Sequence, residues 1–305
     1  MCSGRVWPPN KQGFPIKSAV FMSLELFDTH AHFDLDDFDA DRDLLIERCR
    51  GGLFHPDVLD FLEKHHAPTP DARVVAAIDP GVSPQRSRLA VSLARRCPWI
   101  RAAAAIHPNY TAETTEEDFR QIELLGELKE VVAIGETGLD RHWDASPIET
   151  QIHWFSRHIE LACRIHKPLI IHCREAIDDL LTVLRQKAGY PLTGTIHSFS
   201  EGPKEAEELL EMGFHLGFTG SVTYTQKKFA PLWEAAKRVP DQRLLIETDS
   251  PFLVPHPLRG KLQRNEPLMT LYVARRLAEL RDTTVEHIVT VTAQNARRLF
   301  AMEEF

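Results

Sequence analysis

Eight short runs of apolar, largely β-branched residues, separated by stretches with helical spacing, constrain this chain more than any other feature. The runs cover 24–30, 73–78, 100–106, 131–136, 168–172, 193–197, 214–219 and 243–249. Between them, segments such as 84–97, 147–166, 175–188 and 203–212 repeat apolar residues at helical intervals. Strands that alternate with helices pair in parallel, because each helix returns the chain to the end of the sheet where it began. Eight such units in roughly 250 residues predict an α/β fold, a TIM-type (β/α)8 barrel. A doubly wound open sheet is the competing architecture. It would spread the ends of strands one, four, five, six and eight along an edge, whereas a closed barrel gathers them at one mouth.

The residues that end these runs share a chemistry. His30 and His32 close LELFDTHAH, Glu136 ends VVAIGE, His172 ends PLIIH, His197 ends TGTIH and Asp249 closes RLLIETD. Residues two apart on a strand share a face, so His30 and His32 can clamp one ion. A single histidine after an apolar run is ordinarily a hydrogen-bonded strand-end residue. Imidazoles and carboxylates on five strand ends are harder to explain by packing, since their burial and mutual repulsion call for a cation. The set predicts a divalent metal site.

Composition fits one large domain. The chain has 305 residues, 43% hydrophobic and 26% charged, enough to bury a substantial core, and no run long enough to span a bilayer. Five cysteines, Cys2, Cys49, Cys97, Cys163 and Cys173, lack CxxC spacing, so a reducing compartment and a cytoplasmic protein are expected. Strand alternation turns Cys173 away from His172, toward a covering helix. Residues 1–22 carry three prolines and no continuous apolar core of a secretory signal. They are expected to be a disordered extension, with Met22 an alternative start, ahead of a barrel domain over 23–305. Residues 51–72 read as an insertion with a short helix from Val58 to Leu62, placed to form a lip, and His55, His65 and His66 as surface residues.

The blocks FDTHAHFD, AIHPN, IGETGLD, IHCREA, IHSFS, LLEMGFHLGFTGSVTY, LLIETDSPFLVP and RNEP resemble, in order and spacing, the signatures of the TatD family of metal-dependent hydrolases, the TatD-related deoxyribonucleases, from about residue 24 to 300. The resemblance implies that His30 and His32 bind one metal, Glu136 bridges two, His172 and His197 bind the second, and Asp249 completes the site. It also implies that His107 contacts a substrate phosphate; capping the turn before Pro108 is the other reading of that residue. Two departures stand at the mouth. Arg141, His142 and Trp143 follow GETGLD where family members more often carry aromatic residues directly, and Glu201 follows IHSFS where glycine or serine is common. They bear on substrate preference and leave the metal site intact.

Two divalent ions about 3.5–4 Å apart can share a hydroxide and stabilise both oxygens of an in-line displacement, so phosphodiester hydrolysis is expected. Asp249 is the candidate general base, Glu136 holds the ions together, and Asp140 and Asp28 are expected to orient imidazoles through their second ring N–H. Magnesium, manganese and zinc all remain open on ligand type. An ester or amide hydrolase acting on an aminoacyl ester or small amide through the same residues is the alternative, and a binding module that has lost catalysis is the third. The net charge of −8 offers no broad basic surface for duplex DNA. Phosphate contacts would fall to the metals and to local cations such as Arg174, Lys227, Lys228, Arg259, Lys261 and Arg264. That favours single-stranded DNA held by a 3′ end and degraded 3′ to 5′, with no membrane and no obligate protein partner. Asn265 is expected to cap a helix begun by Pro267, and the helix over 284–300 to pack on the barrel's outside.

Overall fold

A computed structural model describes residues 23–302. The extension at 1–22, and Cys2 with it, lies outside the described residues. Eight strands follow the apolar runs: β1 (Leu24–Asp28), β2 (Ala72–Pro80), β3 (Ile100–Ala104), β4 (Val131–Asp140), β5 (Leu169–Arg174), β6 (Gly194–Ile196), β7 (His215–Phe218) and β8 (Leu244–Ile246). Each pairs in parallel with the next, in chain order. The first and last strands meet at their C-terminal ends, where Thr29 N–H donates to Ile246 O (3.3 Å), Asp249 N–H to His30 O (2.8 Å) and His32 N–H to Ser250 O (2.9 Å). The expected barrel is therefore nearly closed, and its closing seam carries three of the predicted metal residues.

The helices are α1 (Arg42–Gly51), α2 (Pro56–Lys64), α3 (Pro84–Arg96), α4 (Glu116–Gly126), α5 (Ile148–Arg164), α6 (Ile177–Gln186), α7 (Pro203–Glu211), α8 (Ala230–Arg238), α9 (Thr270–Leu280) and α10 (Val285–Leu299). None among the described residues is long and apolar enough to cross a membrane. Cys49, Cys97, Cys163 and Cys173 are unpaired. The insertion forms α2, whose first turn is capped by His55 Nδ1 accepting from Asp57 N–H (3.2 Å). It docks against the β8–α9 connection through Lys261, 4.1 Å from the Phe61 ring.

The strand interior alternates as period two requires. Phe27, Ala76, Ile78, Ala103, Ala133, Ile170 and Leu245 meet inside the barrel, small alanines leaving room for the phenyl ring. Helix α10 meets its expectation only in part: Ile288 and Val289 join the outer core with α9, while Ala293, Ala296 and, just past the helix end, Phe300 join this interior cluster. Asn295 on the same helix donates to Asp241 O (2.6 Å) and Leu244 O (2.8 Å), at the entry to β8. The N-terminal end of the barrel is thus stoppered by apolar packing, and polar side chains gather at the other end.

Strand β4 runs four residues past the end expected at 136. The β4–β5 register shifts between Ile134 and Thr137, then resumes from Thr137↔Ile171 to Asp140↔Arg174. Glu136 sits in that irregularity, as bulged residues near functional sites often do. Gly138 makes the resumed pairing possible: its φ is 149°, and a Cβ there would run into the carbonyl oxygen of His172.

Candidate metal centre

Glu136 lies at the middle of the mouth, almost wholly buried, with its two oxygens divided between two groups of imidazoles. Oε2 faces His30 Nε2 (3.2 Å) and His32 Nε2 (3.6 Å). Oε1 faces His172 Nδ1 (2.7 Å), His107 Nε2 (3.7 Å) and His197 Nε2 (3.9 Å). Asp249 adds Oδ1 at 3.5 Å from both His32 Nε2 and His197 Nε2 and 3.8 Å from His30 Nε2. Ligand atoms within 4.8 Å of one another fall into overlapping sets: His30, His32 and Glu136; His30, His197 and Asp249; His107, Glu136 and His172. The barrel thus brings together all six residues predicted from strand ends.

These donors fit divalent cations. The Nε2 atoms of His30 and His32 stand 3.2 Å apart with a carboxylate oxygen beside both. A single proton shared between those nitrogens leaves the carboxylate oxygen without a donor; a divalent ion would serve both nitrogens and the oxygen together. Burial disfavours charge on every group here, yet the facing imidazoles hold Glu136 well below the usual carboxylate range and Asp249 below it too. Against the same burial, Asp140 and Glu136 lift His172 to about 8, and the surrounding carboxylates raise His197. A site that draws protons onto two buried histidines is built for positive charge.

Neighbouring carboxylates decide which ring nitrogen faces the centre. His172 Nε2 lies 2.9 Å from Asp140 Oδ2, leaving Nδ1 toward Glu136. His197 Nδ1 lies 2.9 Å from Glu247 Oε1, leaving Nε2 toward Asp249. A metal-bound imidazole needs this kind of support on its second nitrogen. Asp140 meets its expectation, and Gln151 on α5 fixes the strand end beneath it, accepting from Asp140 N–H at 2.8 Å. Glu247 was not foreseen. Its signal is the same period-two alternation that places Asp249, two residues on, and Gly217 leaves its space, since a Cβ there would lie 2.5 Å from Glu247 Oε1.

Asp28 does not orient an imidazole. Its carboxylate accepts from Thr248 N–H (2.9 Å), Thr248 Oγ1–H (2.5 Å) and His30 N–H (3.2 Å), tying the backbones of β1 and β8 together instead. Asn265 is not a helix cap either: Glu266 occupies that place before the turn Pro267–Met269. The buried Asn265 amide donates to Thr248 O (3.0 Å) and Leu253 O (3.4 Å), bracing the loop that carries Asp249. Among the local cations, Arg264 is bound to Asp41 and Asp37 O, Lys261 covers Phe61, and Arg259 lies 4.0 Å from the Tyr224 ring. Arg174 stays exposed at the end of β5. His107 caps its turn, the second of the two readings offered for it: Nδ1 accepts from Asn109 N–H (3.2 Å), which leaves Nε2 as an N–H donor on the side of Glu136 (3.7 Å). Burial pushes its pKa down to about 3, so the ring is neutral. Cys173 packs against the core, its thiol pushed up to about 12 by burial.

Comparison with known proteins agrees with this geometry. The family model described as TatD related DNase matches residues 27–301. The chain is 40% identical over 275 residues to the uncharacterized metal-dependent hydrolase YabD of Bacillus subtilis (strain 168), covering 90% of this chain and 98% of that protein. It is 30% identical over 280 residues to a protein of Erwinia amylovora named 3'-5' ssDNA/RNA exonuclease TatD, covering 91% of this chain and all (100%) of that one. The crystal structure of YJJV, a TatD homolog from Escherichia coli K12, superposes with a TM-score of 0.79 at 26% identity, over 92% of this chain and 100% of that one. With its barrel, its strand-end donors and these relatives in agreement, the chain belongs to the TatD-related DNase family of metal-dependent hydrolases.

Proposed function

We propose that this protein hydrolyses phosphodiester bonds of single-stranded DNA from the 3′ end, using two divalent ions held by His30, His32, Glu136, His172, His197 and Asp249. The observation that carries the reading is the division of Glu136, one oxygen toward His30 and His32 and the other toward His172 and His197. A carboxylate shared in this way suits two cations side by side, the arrangement that in-line displacement at phosphorus favours. The name of the Erwinia relative supports the choice of substrate.

Bound divalent ions, magnesium, manganese or zinc, supply Lewis-acid charge to a phosphoryl oxygen and make water more acidic. The protein's own groups do the rest. Asp249 keeps 16% side-chain exposure and accepts the proton of the attacking water. His107 donates its Nε2–H to a phosphoryl oxygen, a role its neutral ring fills without adding charge. Arg174, at the end of β5, supplies the cation that the acidic surface otherwise withholds from a phosphate backbone.

The test is release of labelled nucleotide from a single-stranded 3′ end by protein stripped of metal and reloaded with each ion in turn. Asp249→Asn should lower kcat by about 10²–10⁴-fold. A folded, metal-loaded protein that releases nothing would transfer the site to ester or amide hydrolysis.

A further inference from the structure

Three large aromatic rings stand half in water around the metal-type cluster: Tyr110 at 55% exposure, Trp143 at 54% and Phe252 at 51%. Each adjoins a centre residue. The Tyr110 ring is 6.2 Å from that of His107, and the Phe252 ring 6.3 Å from that of His32. The backbone N–H of Trp143 donates to Asp140 Oδ1 (3.0 Å), the carboxylate whose other oxygen holds His172, so the residue that carries the indole is anchored at the centre.

Trp143 packs only edge-on against the His142 ring (centroids 4.9 Å apart) and keeps over half of its surface in water. Its loop is fixed by other groups: Arg141 makes a two-pronged pair with Asp179 (2.6 and 3.0 Å), and His142 Nδ1 meets Glu175 Oε1 at 2.7 Å. Besides the His142 ring, the indole neighbours the exposed Arg174, whose guanidinium carbon is 5.6 Å from the ring centroid. This is the segment that departs from the family pattern after GETGLD. Exposed apolar rings rimming a polar centre mark a binding surface.

The order of strands sets the rings on two sides. Tyr110 and Trp143 follow the adjacent strands β3 and β4, and Phe252 follows β8, across the barrel. A strand crossing the mouth with one phosphate at the centre would bring its flanking bases to Trp143 and Tyr110 on one side and to Phe252 on the other. With a net charge of −8, the surface cannot grip a phosphate backbone broadly. Base stacking, which any base supplies once unpaired, replaces that grip.

We propose that Tyr110, Trp143 and Phe252 stack the unpaired bases on either side of the scissile phosphate, and so select single strands over duplexes. The inference rests on the phosphodiester reading and deepens it. Its test compares the metal-loaded protein on oligothymidylate and on the same strand carrying abasic sugars beside the scissile bond. The wild type should favour oligothymidylate in kcat/KM by about five- to a hundredfold, mostly through KM. Trp143→Ala should narrow that ratio several-fold, Trp143→Phe should restore much of it, and the triple alanine variant should bring it near one. Equal rates on the two strands, or a ratio untouched by the triple variant, would overturn the stacking rim while leaving the nuclease reading intact. If neither strand is cut, the nuclease reading falls and equilibrium binding decides: tighter hold on oligothymidylate, lost in the triple variant, supports the rim, and equal hold overturns it.

Discussion

At the scale of single residues, the centre depends on which nitrogen each histidine presents, and that is decided by carboxylates behind the imidazoles. Glu247 is the clearest case. It is fully buried, and besides His197 Nδ1 it receives Ser198 N–H (2.6 Å) and Thr29 Oγ1–H (2.9 Å). Glu247→Gln removes the charge that favours one ring tautomer while keeping the shape that Gly217 leaves open. The support such a partner gives is worth about 10–100-fold in metal affinity. Competition titration with a chromophoric chelator should therefore find one ion bound correspondingly more weakly in Glu247→Gln, with the unfolding transition little moved. Unchanged affinity would mean that His197 needs no help in facing the site.

At the scale of elements, the alternating runs announced their strands because period two and β-branched residues leave little else for a short apolar segment to become. The chemistry at their ends was legible for the same reason: a histidine or carboxylate after such a run is where the strand meets the mouth. Three features were not. Strand β4 continues through GETGLD, whose glycines and polar residues read as a loop until β5 is laid beside it. Asn265 acts on carbonyls 17 and 12 positions away, a relation spacing cannot reveal. The apolar stripe of α10 predicts a buried face and says nothing of which surface it buries. The β4 extension gives a sharp test, because Gly138 and Gly213 both have positive φ (149° and 94°) but differ in surroundings. A Cβ on Gly213 meets nothing within 4 Å, whereas one on Gly138 meets the β5 backbone at His172. Gly213→Ala should cost about 1 kcal/mol from backbone strain alone. Gly138→Ala should cost distinctly more in urea unfolding and also weaken metal binding, since it pushes His172 away from Asp140 and Glu136. Equal losses in the two variants would show that β4 can yield without disturbing the centre.

At the scale of the whole molecule, the barrel separates its stabilising end, stoppered by α10, from its reactive end, and the strand ends on the reactive side are linked to the helices that wrap the barrel. His158 is one such link. It lies on α5, fully buried, donating from Nδ1 to Trp154 O (2.8 Å) and accepting Ile106 N–H at Nε2 (3.1 Å), just ahead of His107. Burial lowers its pKa to about 4, below the ordinary 6.5. The unfolded chain therefore takes up a proton that the folded chain refuses, so stability is complete above about pH 6.5 and falls as pH drops toward 4. A shift of that size corresponds to a loss on the order of 3 kcal/mol across the window, with little further change from this group below it. Other histidines titrate in the same range, so the informative quantity is the difference between wild type and His158→Gln, measured by urea unfolding in chelating buffer from pH 7 to 4.5. Glutamine can offer an acceptor to Ile106 N–H without gaining a proton, so the variant should lose stability less steeply on acidification than the wild type. Parallel curves would show that His158 takes up its proton in the fold much as it does in the unfolded chain, and would place the acid sensitivity of the fold elsewhere.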